Sequence, residues 1–327
     1  MKVGIVGAGM VGATSAYAIV MTKAASEIVL IDANEKRAIA EAADIQHAVP
    51  FTHATEIYAG GYEDLTDAKV VIIAAGASQR PGETRLMLFE RNAAILNQII
   101  QNTVKYAPNA IFLIATNPVD IITHISTKIA IKYGVPPTHV IGSGTTLDTA
   151  RFRALVGNHA GVDSQHVHGY VIGEHGDSEV LTWSNIDISG IPLEDFIQFR
   201  KVEFNDQVKR TIDEGVRNAA YKIIEGKGST YYGIGAAIAR IVDAINRDNR
   251  AVLTVSTINE EVEGIREVAL SLPHLISGNG DLGTLPLRLS YEERLLLRKS
   301  AEIIKEKIDE YEKKEVSSKE SKVTDKK

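Results

Sequence analysis

The sequence predicts an α/β fold in two parts: a parallel sheet covered by helices on both faces, then an α+β domain with antiparallel strands. Up to about residue 144, short and fully apolar strands alternate with amphipathic helices, which is typical of a parallel sheet. Beyond about residue 179 this alternation is lost, and from about residue 251 one strand follows another without a helix between them, which indicates antiparallel pairing. The 327 residues are enough for two domains of ordinary size, or one large one.

Composition limits the classes of protein to consider. A net charge of −6 and a pI near 5.9 argue against nucleic-acid binding, which usually needs a basic surface. The chain has no cysteine, which excludes disulfides, thiolate zinc sites and cysteine nucleophiles. A strand is predicted directly after Met1, so we expect no signal or transit peptide. No apolar run approaches the roughly 20 residues that a membrane span requires. We therefore expect a cytoplasmic protein that binds no nucleic acid, membrane or metal.

A glycine-rich turn joins the first strand to the first helix. The strand Val3–Val6 runs into Gly7-Ala8-Gly9-Met10-Val11-Gly12, a helix follows, and a second apolar strand over residues 28–31 ends at Asp32. This order of strand, turn, helix, strand and acid is the pattern of a dinucleotide-binding Rossmann domain. The glycines admit a pyrophosphate to the helix N-terminus, and Asp32 can accept hydrogen bonds from a ribose. An acid there repels the 2′-phosphate of NADP, so the predicted cofactor is NAD; the alternative is a tight turn without a ligand.

The other strands of this half lead into candidate ligand-binding loops. Beyond the second strand we expect one helix and three apolar strands, at residues 35–47, 70–75, 111–115 and 140–141. Ligands of parallel sheets bind beyond the carboxyl ends of the strands, so the residues after each strand are candidates. After Gly76, a polar loop with Pro and Gly precedes an amphipathic helix, and residues 77–90 are predicted to form a substrate lid. The alternative is a solvated connector.

A helix beginning at about Leu147 carries three charged residues. At about 100° per residue, Arg151 lies about 60° from Asp148, whereas Arg153 lies about 140° away on the other side. Asp148 and Arg151 can therefore share a site, although a surface ion pair is the alternative. Arg153 must contact something else.

A histidine lies on a glycine turn near the middle of the chain. The apolar residues 171–172 lead into Gly173-Glu174-His175-Gly176-Asp177. Glycines allow the backbone to turn tightly and a ligand to approach. A histidine on such a turn can act as a general acid and base near neutral pH, whereas the alternative is a histidine that only packs.

The remainder of the chain is predicted in less detail. Helices are expected over 204–225 and 234–246, strands near 251–256 and 267–272, and a hairpin turn over 277–281. A long final helix has apolar residues at spacings of four and three up to Tyr311. We place one domain at 1–144 and a second at 145–313, followed by a disordered tail at 314–327 that is rich in Lys, Glu and Ser.

Four motifs in this order resemble the lactate/malate dehydrogenase family, and within it the bacterial L-lactate dehydrogenases. They are Gly7–Gly12, Asn117-Pro118-Val119-Asp120, Leu147–Arg151 and Gly173–Asp177. The resemblance covers nearly the whole chain. It implies transfer of hydride between NAD and a 2-oxo or 2-hydroxy acid, as in glycolysis and fermentation, by a homotetramer.

The resemblance also implies the roles of individual residues. His175 is the proton donor and acceptor, Asp148 binds its other nitrogen, and Arg151 binds the substrate carboxylate. On the lid, Arg85 polarises the substrate carbonyl, while Asn117 and Thr230 lie beside the substrate. The implied NAD contacts are Gly7, Gly9, Met10, Val11, Gly12, Asp32, Arg37, Tyr62, Gly76, Ala77, Ala115, Asn117 and Ser143.

The lid residue Gln79 favours a monocarboxylic substrate. Malate dehydrogenases of this family carry an arginine there, which pairs with the second carboxylate of oxaloacetate. With a neutral glutamine that carboxylate would be buried unpaired at a large cost, so we expect reduction of pyruvate to lactate. Glu83 would also oppose a dicarboxylate, although a shift in the register of the lid could bring Arg80 inward. NAD-dependent malate dehydrogenase is therefore the alternative.

Two further cations match an effector site. Arg153 and His168 occupy positions where the bacterial relatives bind fructose 1,6-bisphosphate across a subunit interface, and two cations suit a bisphosphate. The alternative is that both are ordinary surface or interface residues. Two other classes of function are a catalytically silent NAD-binding sensor, which would need a broken catalytic set, and an NAD- and metal-dependent hydrolase. The hydrolase lacks cysteine ligands and any evident His/Asp spacing for a metal.

Overall fold

A computed structural model describes the backbone of residues 1–76 and 85–324, and the side chains of residues 1–76 and 91–313. The predicted lid therefore lies outside the described residues, except for the backbone of 85–90. The first part of the chain forms strands β1 to β6 at Lys2–Val6, Glu27–Ile31, Glu56–Ala59, Ala68–Ile73, Ile111–Ile114 and Val140–Gly142. Its helices α1 to α4 are Met10–Thr22, Glu35–Gln46, Arg85–Tyr106 and Val119–Lys132.

The six strands pair in parallel in the order β3-β2-β1-β4-β5-β6. Alternate residues of the central strands β4 and β5 enter two separate apolar clusters, one on each face of the sheet. One face receives Val71, Ile73, Phe112 and Ile114, and the other receives Val70, Ile72, Ile111 and Leu113. Burial on both faces explains why these strands are apolar without interruption. The predicted parallel Rossmann sheet is confirmed.

The second part of the chain contains shorter strands and more helix. Strands β7 to β14 are Val167–His168, Val171–Ile172, Val180–Leu181, Asp187–Ile188, Ile191–Pro192, Ala251–Val262, Ile265–Ser277 and Gly280–Thr284. Helices α5 to α10 are Thr146–Ala160, Leu193–Arg200, Asp206–Arg217, Ala219–Lys227, Tyr232–Asn246 and Tyr291–Thr324. The long strands β12, β13 and β14 pair antiparallel, as predicted.

The antiparallel strands do not form a separate sheet. Strand β12 pairs with β6 at Ser256 and Gly142, so the largest sheet among the described residues has nine strands. Strands β12 and β13 are also about twice as long as predicted. Their outer ends contain exposed charged residues, such as Glu260 and Arg266. These residues interrupt the apolar pattern from which the strands were predicted.

Two helix predictions need correction. The single helix expected over 204–225 is two helices, because α7 ends at Arg217 and the next residue, Asn218, has a φ of −90° and a ψ of 0°, which depart from helical geometry. The side chain of Asn205 caps the start of α7 by accepting from the amide of Val208 at 3.1 Å. The backbone of 314–324 is helical, as the last part of α10, where a disordered tail was expected; its lysines and glutamates are good helix formers.

Helices of the second part complete the core of the first. Helix α9 packs against α1 on one face of the sheet, through Ile238, Ile241 and Val242. Helix α10 packs beside α4 on the other face, where its residues Leu297, Ala301, Ile304 and Ile308 are buried. No helix in the described part of the chain is long and apolar enough to cross a membrane.

The central strand β5 provides a test of this core. Phe112 is fully buried, so Phe112→Ala leaves a cavity and is expected to lower the free energy of unfolding by about 3–5 kcal/mol. The matched control is Phe199→Ala, whose ring is 80% exposed and whose loss should change it by no more than about 0.5 kcal/mol. Urea denaturation followed by circular dichroism measures both values. Equal losses in the two variants would contradict the described packing of β5.

Candidate active site

The carboxyl ends of the parallel strands bring most of the predicted cofactor residues to one edge of the sheet. The glycine turn follows β1, Asp32 follows β2, Gly76 follows β4, and Asn117 follows β5. Ser143 follows β6, and its amide donates to the carbonyl of Ile114 at 2.8 Å. This edge is where ligands bind in open parallel sheets.

The turn after β1 leaves room for a phosphate. Gly7 has a φ of +104°, and a Cβ there would lie 2.5 Å from the backbone nitrogen of Ala75. A Cβ at Gly12 would lie 1.8 Å from the carbonyl oxygen of Gly7, so no larger residue fits there. Nothing lies within 4 Å of the corresponding position at Gly9, which caps α1 without a side-chain hydrogen bond. The open N-terminus of α1 therefore suits the pyrophosphate of a dinucleotide.

The end of β2 is tied to this turn. Asp32 accepts from the amide of Ala8 at 2.7 Å with one oxygen and from the amide of Asn34 at 2.8 Å with the other. Each carboxylate oxygen can accept a second hydrogen bond, so the capacity to bind ribose hydroxyls remains. Of the other predicted cofactor residues, Met10 is exposed, while Val11, Arg37, Tyr62 and Ala115 are half-buried. Ala77 lies outside the described residues.

A single carboxylate joins two predicted catalytic residues. Asp148, on α5, is 2% exposed; its Oδ2 lies 2.6 Å from Nδ1 of His175, and its Oδ1 accepts from Arg151 at 2.7 Å. The predicted juxtaposition of Asp148 and Arg151 on one side of the helix is therefore present. The contact at Nδ1 leaves Nε2 of His175 as the nitrogen that can reach a ligand.

The position of α5 is fixed against the strand that leads to His175. The hydroxyl of Thr149 accepts from the amide of Val171 at 2.9 Å, and the hydroxyl of Thr145 donates to the carbonyl of Val171 at 2.5 Å. These bonds couple the residues on both sides of Asp148 to β8. The distance between Asp148 and His175 is thereby set by short threonine hydroxyls bound to the backbone of Val171 rather than by long side chains.

The electrostatic surroundings of His175 favour its charged form. Desolvation lowers the pKa of His175, but the hydrogen bond and the negative charge of Asp148 outweigh it and raise the pKa to about 9. The imidazole is therefore protonated at neutral pH. A protonated Nε2 can donate to an oxygen that gains negative charge.

Two buried acids beside His175 were not among the predicted site residues. Asp120, in the first turn of α4, accepts from the backbone amide of His175 at 2.8 Å; burial raises the pKa of Asp120 to about 6. Glu179 is 4% exposed, and burial followed by the charge of Asp148 raises its pKa. In the sequence, Asp120 was marked as an acid between the apolar residues Val119 and Ile121, at the end of the Asn117–Asp120 motif. No comparable signal marked Glu179, which follows polar residues.

Two of the remaining predicted substrate residues, Thr230 and Asn117, have described side chains. Thr230 is half-buried in the loop between α8 and α9, and Asn117 is exposed after β5, three residues before Asp120. Arg85 is the first residue of α3, although its side chain lies outside the described residues, as does the whole of Gln79. No group of three or more His, Cys, Asp or Glu residues in the described ranges is placed to hold a metal.

Arg153 points away from Asp148, as the helical angle predicts. Its Nε donates to the carbonyl of Gly169 at 2.9 Å, and its guanidinium lies 5.3 Å from the ring centre of Tyr170. It lines a cavity of about 250 Å³ together with Arg240. The other predicted effector residue, His168, is exposed on β7 next to Gly169 in the chain.

Known proteins are similar to this chain in both sequence and fold. Residues 1–142 match the NAD-binding domain of lactate/malate dehydrogenases, and residues 145–315 match their α/β C-terminal domain. The chain is 54% identical to an L-lactate dehydrogenase of Thermus aquaticus, over 93% of this chain and 97% of the relative. It is 52% identical to an L-lactate dehydrogenase of Geotalea daltonii, over 94% of this chain and 99% of the relative.

Solved structures agree with these matches. A lactate dehydrogenase from a Medee basin deep-sea metagenome library superimposes with a TM-score of 0.91 at 38% identity, covering 95% of this chain and 98% of the other. The minor L-lactate dehydrogenase of Enterococcus mundtii gives a TM-score of 0.89 at 38% identity, covering 94% and 97%. The similarity therefore spans both parts of the fold.

The pairing of His175 with Asp148 can be measured directly. Asp148→Asn removes the negative charge and is expected to lower the pKa of His175 from about 9 towards its ordinary value of 6.5. Titration of the histidine ring protons by NMR measures this shift, and His175→Asn identifies the resonance. Asp195→Asn, which removes an exposed carboxylate from α6, is the control and should leave the pKa unchanged. An unchanged pKa in Asp148→Asn would contradict the pairing.

Proposed function

The chain belongs to the lactate/malate dehydrogenase family, and from that premise we propose how its residues carry out the reaction. Both domains match the family, and L-lactate dehydrogenases are more than half identical to this chain over nearly its whole length. The chain therefore has NAD-dependent L-lactate dehydrogenase function. That reaction is the reversible reduction of pyruvate to L-lactate, a step of glycolysis and fermentation. The observation that carries the residue roles is the carboxylate of Asp148, which contacts both His175 and Arg151.

The first part of the chain binds the cofactor. When bound, NADH supplies the hydride that reduces the substrate carbonyl. Gly9 at the open N-terminus of α1 leaves space for the pyrophosphate, and Asp32 accepts from the ribose hydroxyls. Ser143 and Asn117, at the ends of neighbouring strands, line the path towards the substrate. We propose residues 1–144 as this NAD-binding domain and 145–313 as the substrate domain.

His175 supplies and recovers the proton. Its Nε2 donates to the carbonyl oxygen of pyruvate as negative charge develops there, and takes the proton back from the hydroxyl of lactate in the reverse direction. Asp148 keeps the imidazole protonated and oriented during pyruvate reduction, because it stabilises the charged form. Reduction therefore requires a pH below the pKa of His175, and oxidation of lactate is favoured above it.

The substrate carboxylate binds to Arg151. A guanidinium offers two parallel N–H donors to a planar carboxylate, which a lysine cannot do. The contact with Asp148 uses Nη1 of Arg151 and leaves other donors for the substrate. On the lid, Arg85 polarises the carbonyl, while Thr230 and Asn117 lie beside the substrate. A donor directed at the developing oxyanion is typically worth about 3–4 kcal/mol.

The lid residue Gln79 determines the choice between pyruvate and oxaloacetate. Gln79→Arg provides a cation for a second carboxylate, so the ratio of kcat/KM for oxaloacetate to that for pyruvate is expected to rise at least about tenfold. Initial rates with NADH and each substrate measure the ratio. The matched control is Arg80→Gln, which should leave it unchanged. If instead only Arg80→Gln alters the ratio, Arg80 rather than Gln79 faces the substrate. If the unaltered enzyme has the higher kcat/KM for oxaloacetate, malate dehydrogenase is the better assignment.

A catalytically silent sensor is the alternative from another class of function. It would bind NAD without turning over substrate and would need a defect in the catalytic set. The contacts of His175, Asp148 and Arg151 argue against such a defect, because each is in hydrogen-bonding geometry.

We further propose that fructose 1,6-bisphosphate activates a homotetramer in the cytoplasm. Arg153 beside Gly169, with His168 exposed next to it, supports an anion site away from Asp148. Large apolar side chains exposed on α1, Tyr17 and Met21, support association with further copies of the chain.

Activation is tested at sub-saturating pyruvate with and without fructose 1,6-bisphosphate. The effector is expected to lower the apparent KM by several-fold, because it stabilises the binding-competent state of the tetramer. Arg153→Gln should abolish this response, whereas Arg210→Gln, on α7, should retain it. Sedimentation of the same samples gives the oligomeric state. An unchanged KM in the unaltered enzyme would exclude activation.

A further inference from the structure

The turn that carries His175 is held through three successive backbone amides, each bound by a different element. The amide of Gly173 donates to the carbonyl of Ser271 on β13 at 2.8 Å, and the amide of His175 donates to Asp120 on α4. Between them, the amide of Glu174 donates to the hydroxyl of Ser300 on α10 at 2.8 Å. Ser300 is thus a contact to this turn from the last helix of the chain, 125 residues after His175.

Ser300 is packed against the turn without space between them. Its side chain is fully buried, and a Cβ added at Gly173 would lie 2.7 Å from its hydroxyl oxygen. Gly173 has a φ of +87°, which favours glycine, so the close approach and the backbone conformation require the same residue. The helix α10 therefore sets the position of the turn directly.

The hydroxyl of Ser300 belongs to a closed chain of hydrogen bonds. It lies 3.0 Å from the hydroxyl of Ser178, which donates to Oε2 of Glu174 at 2.6 Å. Since Ser178 uses its proton on the carboxylate, Ser300 donates to Ser178 while it accepts from the amide of Glu174. The chain starts and ends at the residue before His175. Lys307, also on α10, binds Oε1 of Glu174 at 3.1 Å.

We propose that Ser300 is a positioning residue for the reaction: through the amide of Glu174 and the hydroxyl of Ser178 it fixes the turn on which His175 meets Asp148. The proposal rests on the proposed role of His175 as the proton donor. Ser300 touches neither substrate nor cofactor in this scheme, and it acts from an element that carries none of the catalytic motifs.

Removal of the hydroxyl has a consequence specific to His175. Ser300→Ala leaves the buried amide of Glu174 without its acceptor and breaks the chain to Ser178. The turn can then relax, and the 2.6 Å contact between His175 and Asp148 lengthens. A longer contact weakens the effect of Asp148 and lowers the pKa of His175. The carboxylate-binding Arg151 and the cofactor turn lie on other elements and keep their positions.

The experiment compares two variants that each remove one fully buried hydroxyl. Ser300→Ala is the test, and Ser126→Ala on α4 is the matched control, since its hydroxyl has no hydrogen-bond partner among the described side chains. The kcat and KM for pyruvate are measured with saturating NADH from pH 6 to 10. Thermal unfolding is followed for both variants. His175→Asn is assayed in parallel.

For Ser300→Ala we expect kcat to fall about tenfold with KM changed less than about twofold, because small misplacements of a catalytic group are costly. In the plot of kcat against pH, the fall in kcat on the alkaline side (the alkaline limb) should move to lower pH by roughly one unit. Ser126→Ala should alter neither quantity. As a second variant, Ser178→Ala removes the next link in the chain and should move the limb in the same direction by less.

The outcomes separate this inference from the proposed function. If Ser300→Ala lowers only the thermal stability, while kcat and the alkaline limb stay those of the unaltered enzyme, Ser300 is structural and the inference is overturned. If His175→Asn retains turnover, the role of His175 as the proton donor fails instead. Loss of activity in His175→Asn together with the shifted limb in Ser300→Ala supports both.

Discussion

Asp148 carries a carboxylate inside the protein, and its two oxygens contact two cationic groups from different segments. A buried charge is tolerated only where such partners satisfy it, so His175 and Arg151 stabilise Asp148 as much as Asp148 orients them. Three requirements of the reaction therefore meet in one residue: the protonation of the imidazole, its orientation, and the position of the guanidinium. Since Asp148 and Arg151 are three residues apart on one helix, the geometry follows from helical spacing once α5 is fixed.

The sheet explains how α5 comes to be fixed. Strand β6 ends at Gly142, only four residues before α5 begins, so the helix starts from the same edge at which the cofactor residues lie. Pairing of β6 with β12 extends this sheet into the antiparallel strands, and β13 in turn binds the backbone of Gly173. The cofactor edge and the turn of His175 are thus parts of one continuous hydrogen-bonded framework. A change in the relative position of the two parts of the chain would be resisted by backbone hydrogen bonds.

The sequence allows local geometry to be predicted better than contacts between distant segments. The apolar strands, the glycine turn and the opposite directions of Arg151 and Arg153 follow from periodicity and spacing within a few residues. Asp120 and Ser300 are 55 and 125 residues from His175, and no periodicity relates them to it. The outer ends of β12 and β13 were missed for a different reason, because exposed charged residues on a strand resemble a loop. The break at Asn218 was missed because the apolar pattern continues through it.

The contribution of the site to the stability of the fold depends on pH, and His175 and Asp120 act in opposite directions. The pKa of His175 is raised above 6.5 to about 9, so its pairing with Asp148 stabilises the fold fully below about pH 6.5, and this contribution is lost as the pH rises through 9. The pKa of Asp120 is raised from 3.8 to about 6, so ionisation of this buried acid opposes folding already at neutral pH. Asp120 is nevertheless placed where its oxygen binds the amide of His175. The contact by which Asp120 orients the catalytic turn therefore lowers the stability of the fold. The apolar core on both faces of the sheet offsets that loss.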